Sequence, residues 1–390
     1  MSENKPAKIP INALSRRILD AFTGSQALVS VLVVALGFLV ATVLIAVIGR
    51  NPAGMYEAIL QALAGISRNR SNHWVWNPRY TGEWLVSSVP LILCGLSMAF
   101  AVRTGLFNIG AEGQYIAGLT AAQVIAVFFP PIPVLHWVTA VLGAIAAGAL
   151  WGGIVGFLRA RFRVSEVVAT IMMNYIAFYF HRIITLRIPG TNTYRTQEFS
   201  RTASLASPFL ASLTNGSRLN YSLWLTLAAI VLYWIIMEKT RLGYSLRATG
   251  LNRDAALYGG ISVHTSITVA MAAAGALAGL AGASVSLGVF SYGRVLAAFE
   301  NYGFDGIAVA LVGNSTAVGT ALAGLLFGML KSAQPLMQNR QIPKEITAII
   351  TGLIVVFISL RAGVRLIIDW QMKEKARHAQ AHDARREEST

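Results

Sequence analysis

Long apolar runs alternate with short polar connections along almost the whole chain. The first covers residues 28–48, and others follow near 85–102, 113–129, 134–158, 166–186, 221–237, 262–283, 304–313, 316–331 and 345–368. A hydrocarbon core roughly 30 Å thick takes about 20 apolar residues per helical crossing. The pattern therefore predicts an all-α polytopic membrane protein with about ten transmembrane helices. The run at 304–313 is too brief for a straight crossing and predicts a broken span or a re-entrant piece buried in protein. The first run lies too far from the N-terminus, and is too long, for a cleaved signal, so it is read as the first membrane helix. The domain plan is an N-terminal tail over residues 1–27, a transmembrane domain over 28–368 and a charged tail over 369–390.

Composition agrees. Apolar residues make up 55% of the chain against 13% charged, with mean hydropathy +0.58, which excludes a soluble enzyme and a single-anchor receptor. The net charge of +15 does not point to nucleic acid, because the Lys and Arg residues sit between the apolar runs, where they fix orientation and meet anionic membrane lipid. Arg159, Arg161 and Arg163 put the connection before the fifth run on the cytoplasmic side. Ten crossings then leave both termini cytoplasmic and the long segments 49–84 and 187–220 outside. Trp74, Trp76, Trp84 and Trp370 lie near span ends, as interfacial anchors do.

Two internal patterns bear on architecture. Glu166-Val-Val-Ala-Thr-Ile opens the fifth run and Glu345-Ile-Thr-Ala-Ile-Ile the tenth, an echo consistent with two inverted five-helix repeats containing broken helices. Gly148, Gly152 and Gly156, Gly275 and Gly279, and Gly324 and Gly328 recur every fourth residue, which makes grooves for close helix approach within one subunit or between subunits.

Polar groups inside the runs are the candidates for function. Glu166, Thr170 and Asn174 fall at i, i+4 and i+8, one polar stripe on an apolar helix that must face protein or water. Asn108, Glu112 and Gln114 cluster in GLFNIGAEGQ, residues 105–114, whose three glycines let a helix break. These six residues are the candidate lining of a translocation path for a polar solute. The competing reading is that Asn108 and Glu112 cap the broken helix ends. Glu300, Asp305 and Lys331 read as solvated rim positions near span ends, and His181, Arg182 and His264 as interfacial groups. The lone Cys94 cannot form an internal disulfide, and no Cys/His spacing suggests a metal, so no cofactor is expected. A GxxxxGK[ST] phosphate loop does not occur, so any ATP-driven step needs a partner.

Between the sixth and seventh runs, Asn252 is suited to cap a short helix over residues 253–258 that Gly259 and Gly260 can end. So short a helix needs something to pack on. GLFNIGAEGQ, TIMMNYIA (residues 170–177), RATGLNRDAALYGGIS (247–262) and GFDGIAVALVG (303–313) together resemble permease subunits of bacterial ABC importers in the ribose and branched-chain amino acid permease superfamily. Within it the chain is most similar to the larger permease of nucleoside importers that work with a basic membrane lipoprotein.

The resemblance implies a fold of about ten helices in the bacterial inner membrane, with nucleosides or a related sugar-containing solute as cargo. It also implies a second permease as heterodimer partner, two cytoplasmic ATPase subunits and a substrate-binding lipoprotein outside. Residues 250–260 would be the coupling helix that docks on an ATPase, with Gly250, Asn252, Arg253, Asp254, Ala255, Ala256, Tyr258 and Gly259 matching that element. Without it, an ion-coupled secondary transporter of small polar solutes would use the same broken helices. No nucleophile and base pair points to an enzyme.

Overall fold

The computed structural model describes residues 26–68 and 73–358. Most of the two tails, Trp370 and the end of the tenth run lie outside the described residues. The chain divides into two compact units, one of residues up to Val43 and from Ile349, the other Leu44–Ala348. Within the first unit, Gly37 packs against Ile354. The functional groups considered below all belong to the second.

In chain order the elements are α1 (Gln26–Val47), α2 (Ala53–Ala64), β1 (Ile66–Arg68), β2 (Trp74–Trp76), α3 (Pro78–Arg103), α4 (Ala111–Phe128), α5 (Leu135–Phe162) and α6 (Glu166–Leu186). There follow β3 (Arg195–Glu198), a 3₁₀ turn (Arg201–Ala203), α7 (Pro208–Leu213), α8 (Ser222–Lys239), α9 (Arg241–Leu251) and α10 (Arg253–Tyr258). The order ends with α11 (Val263–Val289), β4 (Tyr292–Arg294), α12 (Tyr302–Val312), α13 (Ala317–Gln338) and α14 (Glu345–Ile358).

The polytopic helical character holds. Among the described residues six helices are long and apolar enough to cross a membrane: α1, α3, α5, α6, α8 and α11. The remaining runs are shorter or more polar. Glu112, Gln114 and Gln123 dilute α4, Lys331 and Gln334 dilute α13, and α12 is a short apolar helix. The ninth run also continues past residue 331 to Gln338, through Pro335.

Among the described residues two small antiparallel sheets interrupt the helices, pairing Ile66 with Trp76 and Arg68 with Trp74 in one, and Arg195 with Arg294 in the other. Strands of three or four residues leave too little alternation to read from a sequence.

Burial separates a centre from a periphery. In their most apolar stretches α3 is 83% buried and α11 67%, against 33% or less for α5, α6 and α8. Helices α4, α5 and α3 surround α11, while α12 and α13 lie on α3. The glycine stripes produce these contacts. Gly148 and Gly152 of α5 face the backbone of Gly275, Gly279 and Met271 on α11 so closely that an added Cβ would overlap a carbonyl oxygen. Gly324 and Gly328 likewise lie on Ile92 and Ser88 of α3.

Candidate functional site

The connection from α8 to α11 is built by local capping. Thr240 accepts the amide of Gly243 at 3.1 Å and starts α9. Asn252 then adopts an extended backbone (φ −157°, ψ 112°), which stops α9 and frees its side chain to accept the amides of Asp254 and Ala255, each at 3.0 Å. Helix α10 runs six residues and ends at Gly259, with Gly260 at φ +78°. Its only buried residue is Ala256. Leu251 is 89% exposed, Leu257 63% and Tyr258 94%, an apolar knob with Asp254 and Ala255 open beside it.

The base of the knob is fixed to the turn after α3. Gly250 and Gly105 meet backbone to backbone: a Cβ on Gly250 would fall 2.9 Å from the Gly105 nitrogen, and Gly105 itself has φ +70°. Both positions require glycine, one for space and one for its left-handed backbone as well. Arg253 donates to the Gly105 carbonyl at 3.2 Å. Glu238 at the end of α8 bridges Arg103 of α3 (2.5 Å) and Arg247 of α9 (3.2 Å), which holds the three helix ends together.

From Gly105 the chain enters the polar junction. Asn108 and Gln114 exchange amide hydrogen bonds of 2.8 and 3.1 Å, and Asn108 also donates to the Ser97 hydroxyl at 3.3 Å. Asn174 on α6 donates to the Ile109 carbonyl at 3.1 Å and accepts the Gly113 amide at 2.8 Å. Thr170 donates to its own helix at the Glu166 carbonyl and lies against Gly110. Glu166 pairs at 3.0 Å with Arg159 in the last turn of α5. The stripe of Glu166, Thr170 and Asn174 is therefore turned toward protein, and Asn108, Gln114, Thr170 and Asn174 are all buried.

Glu112 is wholly buried in the first turn of α4 and serves a different helix. One carboxylate oxygen accepts the amides of Glu300 and Asn301 at 2.9 Å each, and the other that of Gly303 at 2.7 Å. Helix α12 begins after Asn301, a residue at φ +65° whose side chain caps nothing. Its orphan amides are satisfied by a carboxylate from another helix, a favourable match of negative charge to a helix N-terminus.

Sequence reasoning missed a second polar group. Arg294 and Glu300 form a two-pronged ion pair, and Tyr115 donates to Glu300 at 2.6 Å. Burial pushes the Glu300 carboxyl up, but hydrogen bonds from Arg294 outweigh this and hold it below the ordinary carboxylate range. The Lys331 ammonium sits 3.6 Å from the centre of the Tyr302 ring and 3.5 Å from Asp305. His181, wholly buried on α6, meets the adjoining segment at its Nε2, which lies 3.1 Å from the Arg294 carbonyl and 3.3 Å from the Leu296 amide and bonds one or the other according to its tautomer. Arg294 and Glu300 border a cavity of about 340 Å³ that Tyr194, Arg195 and Tyr292 also line. Three charges within the twelve residues from 294 to 305 were the available signal. Glu300 and Asp305, lying near span ends, read as rim residues, and Arg294 was not singled out.

Among the described residues no group of three or more His, Cys, Asp or Glu could hold a metal ion. Known proteins share this arrangement of sequence over most of its length. The guanosine ABC transporter permease protein NupP of Bacillus subtilis is 40% identical over 352 residues, 90% of this chain and 98% of that protein. The nucleoside ABC transporter permease protein NupB of Lactococcus lactis is 36% identical, covering 91% and 96%. The glucose ABC transporter permease protein TsgB13 of Haloferax volcanii is 36% identical, covering 71% and 75%. Residues 80–359 match the family described as the branched-chain amino acid transport system permease component. The chain therefore belongs to that family: it is a multi-pass permease subunit, a transport protein whose ATP hydrolysis resides in separate subunits.

Proposed function

We propose that the chain forms part of the membrane path of an ATP-driven importer of nucleosides, with α10 as the element gripped by an ATPase subunit. The cargo assignment rests on two nucleoside permeases that match nine-tenths of the chain. The observation that carries the coupling role is the exposed, internally capped knob of Leu251, Leu257 and Tyr258. A connecting loop has no need of a separately capped helix with its apolar residues turned out.

In this reading, closure of an ATPase pair presses on α10. The Gly250–Gly105 abutment and the Arg253 hydrogen bond pass the push to the turn after α3. That turn leads into α4, and the Glu112 carboxylate carries the displacement to α12. No covalent chemistry is involved, and a site that opens alternately to each side is enough. The proposal includes ten crossings in two inverted five-helix repeats, a second permease as partner, a substrate-binding lipoprotein outside, and both termini on the ATPase side of the bacterial inner membrane. The opening of both α6 and α14 on a glutamate, Glu166 and Glu345, is consistent with the repeat.

The test is uptake of tritiated guanosine into proteoliposomes holding this chain with its co-purifying ATPase, second permease and binding protein. ATP-dependent accumulation is expected. Accumulation by the chain alone under an imposed proton or sodium gradient would refute the reading.

A further inference from the structure

We propose that the passing nucleoside is met by a charge-balanced track of Arg294, Glu300, Asp305 and Lys331, with Tyr302 between them, and that this track reads the ribose hydroxyls. The inference rests on the nucleoside reading above.

The first support is cost. Asp305 stands in the first turn of α12 and Lys331 well inside α13, and their side chains remain 34% and 30% exposed. An ion pair left open to hydrocarbon is expensive, so such residues face water or protein in membrane domains. Asn108, Gln114 and Asn174, by contrast, are buried and committed to hydrogen bonds within the chain. The second support is space. Arg294 and Glu300 border the 340 Å³ cavity, which lies at the lower end of the roughly 300–1,000 Å³ typical of small-molecule sites. Tyr115 donates to Glu300 and its ring packs 5.5 Å from that of Tyr302, which in turn carries Lys331, so contacts connect the cavity wall to the second ion pair.

The third support is chemistry. Each carboxylate of the track is paired with a cation, Glu300 with Arg294 and Asp305 with Lys331, so neither pair presents free charge to a polar solute, while Arg195 on the cavity wall lies over the Tyr292 ring. The partly open Asp305 carboxylate has oxygens left to accept from sugar hydroxyls, whereas those of Glu300 are held by Arg294 and Tyr115 and fix the wall. The Arg294 Nε group is buried without a hydrogen-bond partner, which leaves a donor for a carbonyl or ring nitrogen of a base. A site built to pair with a hydroxyl discriminates against the analogue that lacks it.

The experiment uses the complete reconstituted complex with tritiated guanosine and 2′-deoxyguanosine as probes. Asp305→Asn and Lys331→Met should each lower guanosine uptake about tenfold and bring the ratio of the two uptake rates toward one. Wild-type rates with an unchanged ratio would overturn the proposal.

Independently of activity, Asp305→Cys and Lys331→Cys in the assembled complex should react with a membrane-impermeant maleimide, and guanosine should slow the reaction. The native Cys94 is buried and gives a low background. Labelling in the isolated chain but not in the complex would assign these residues to the permease–permease interface and overturn the track. A wild-type complex that imports no nucleoside refutes the cargo assignment and the ribose role with it. The maleimide result then decides separately whether the track is lined by water.

Discussion

The sharpest perturbation is the removal of the Glu112 carboxylate. In Glu112→Ala, the amides of Glu300, Asn301 and Gly303 lose their acceptor together, and Gly303 is buried deeply enough that water does not replace it readily. A hydrogen bond to a charged group contributes about 1.5–3 kcal/mol, and a buried donor left unpaired costs about 1–3 kcal/mol. Allowing for water at the two half-buried amides, the loss is on the order of 3–5 kcal/mol. For a chain of 390 residues that is a fall in melting temperature of roughly 4–6 °C. Glu112→Gln keeps one acceptor but turns an NH₂ toward the remaining donors, so it should fall between the two. The assay is thermal unfolding of the purified complex in nanodiscs, run beside guanosine uptake. A Glu112→Ala protein that melts with the wild type, yet changes its preference among nucleosides, would refute the clamp and return Glu112 to the lining of the path.

Three further outcomes are expected. Exchanging the charges at Arg253 and Asp254 should abolish ATP-driven uptake while the protein still reaches the membrane; unchanged uptake in vesicles would remove α10 from the coupling route. Tyr258→Ser with Leu251→Ser touches side chains 94% and 89% exposed, so it should leave the melting temperature in place while ATPase subunits no longer co-purify. Gly148→Val puts a side chain where the Gly275 carbonyl lies and should cut the yield of folded protein severalfold on detergent extraction, whereas Gly153→Ala, with its nearest neighbour at 3.5 Å, should not.

What could be read from the sequence was local. Asn252 as a cap, residues 253–258 as a helix and Gly259 with Gly260 as its end all follow from a side chain and amides two or three positions away, and the structure has each of them. The glycine stripes announced close approach but not the partner, because periodicity marks a face without naming what meets it. Glu112 shows the same limit more strongly. Its receiving amides lie about 190 positions on, and the sequence offered a cap for the broken helix ends or a place in the path. Lys331 is not at a helix end, because the ninth run continues to Gln338 and leaves it inside α13, where it pairs with Asp305, a partner 26 positions away that no local pattern names.

The borrowed cap on α12 constrains how the permease can move. Helices α4 and α12 can part only by stripping three amides of their acceptor at once, so any rocking that keeps the fold intact treats them as one lever. The give must then lie beyond the far end of α12, where Asn314 and Ser315 take φ +53° and +51° in the tight link to α13. A spin-label pair across α4 and α12 should hold its spacing through the ATP cycle, while one across α12 and α13 should not.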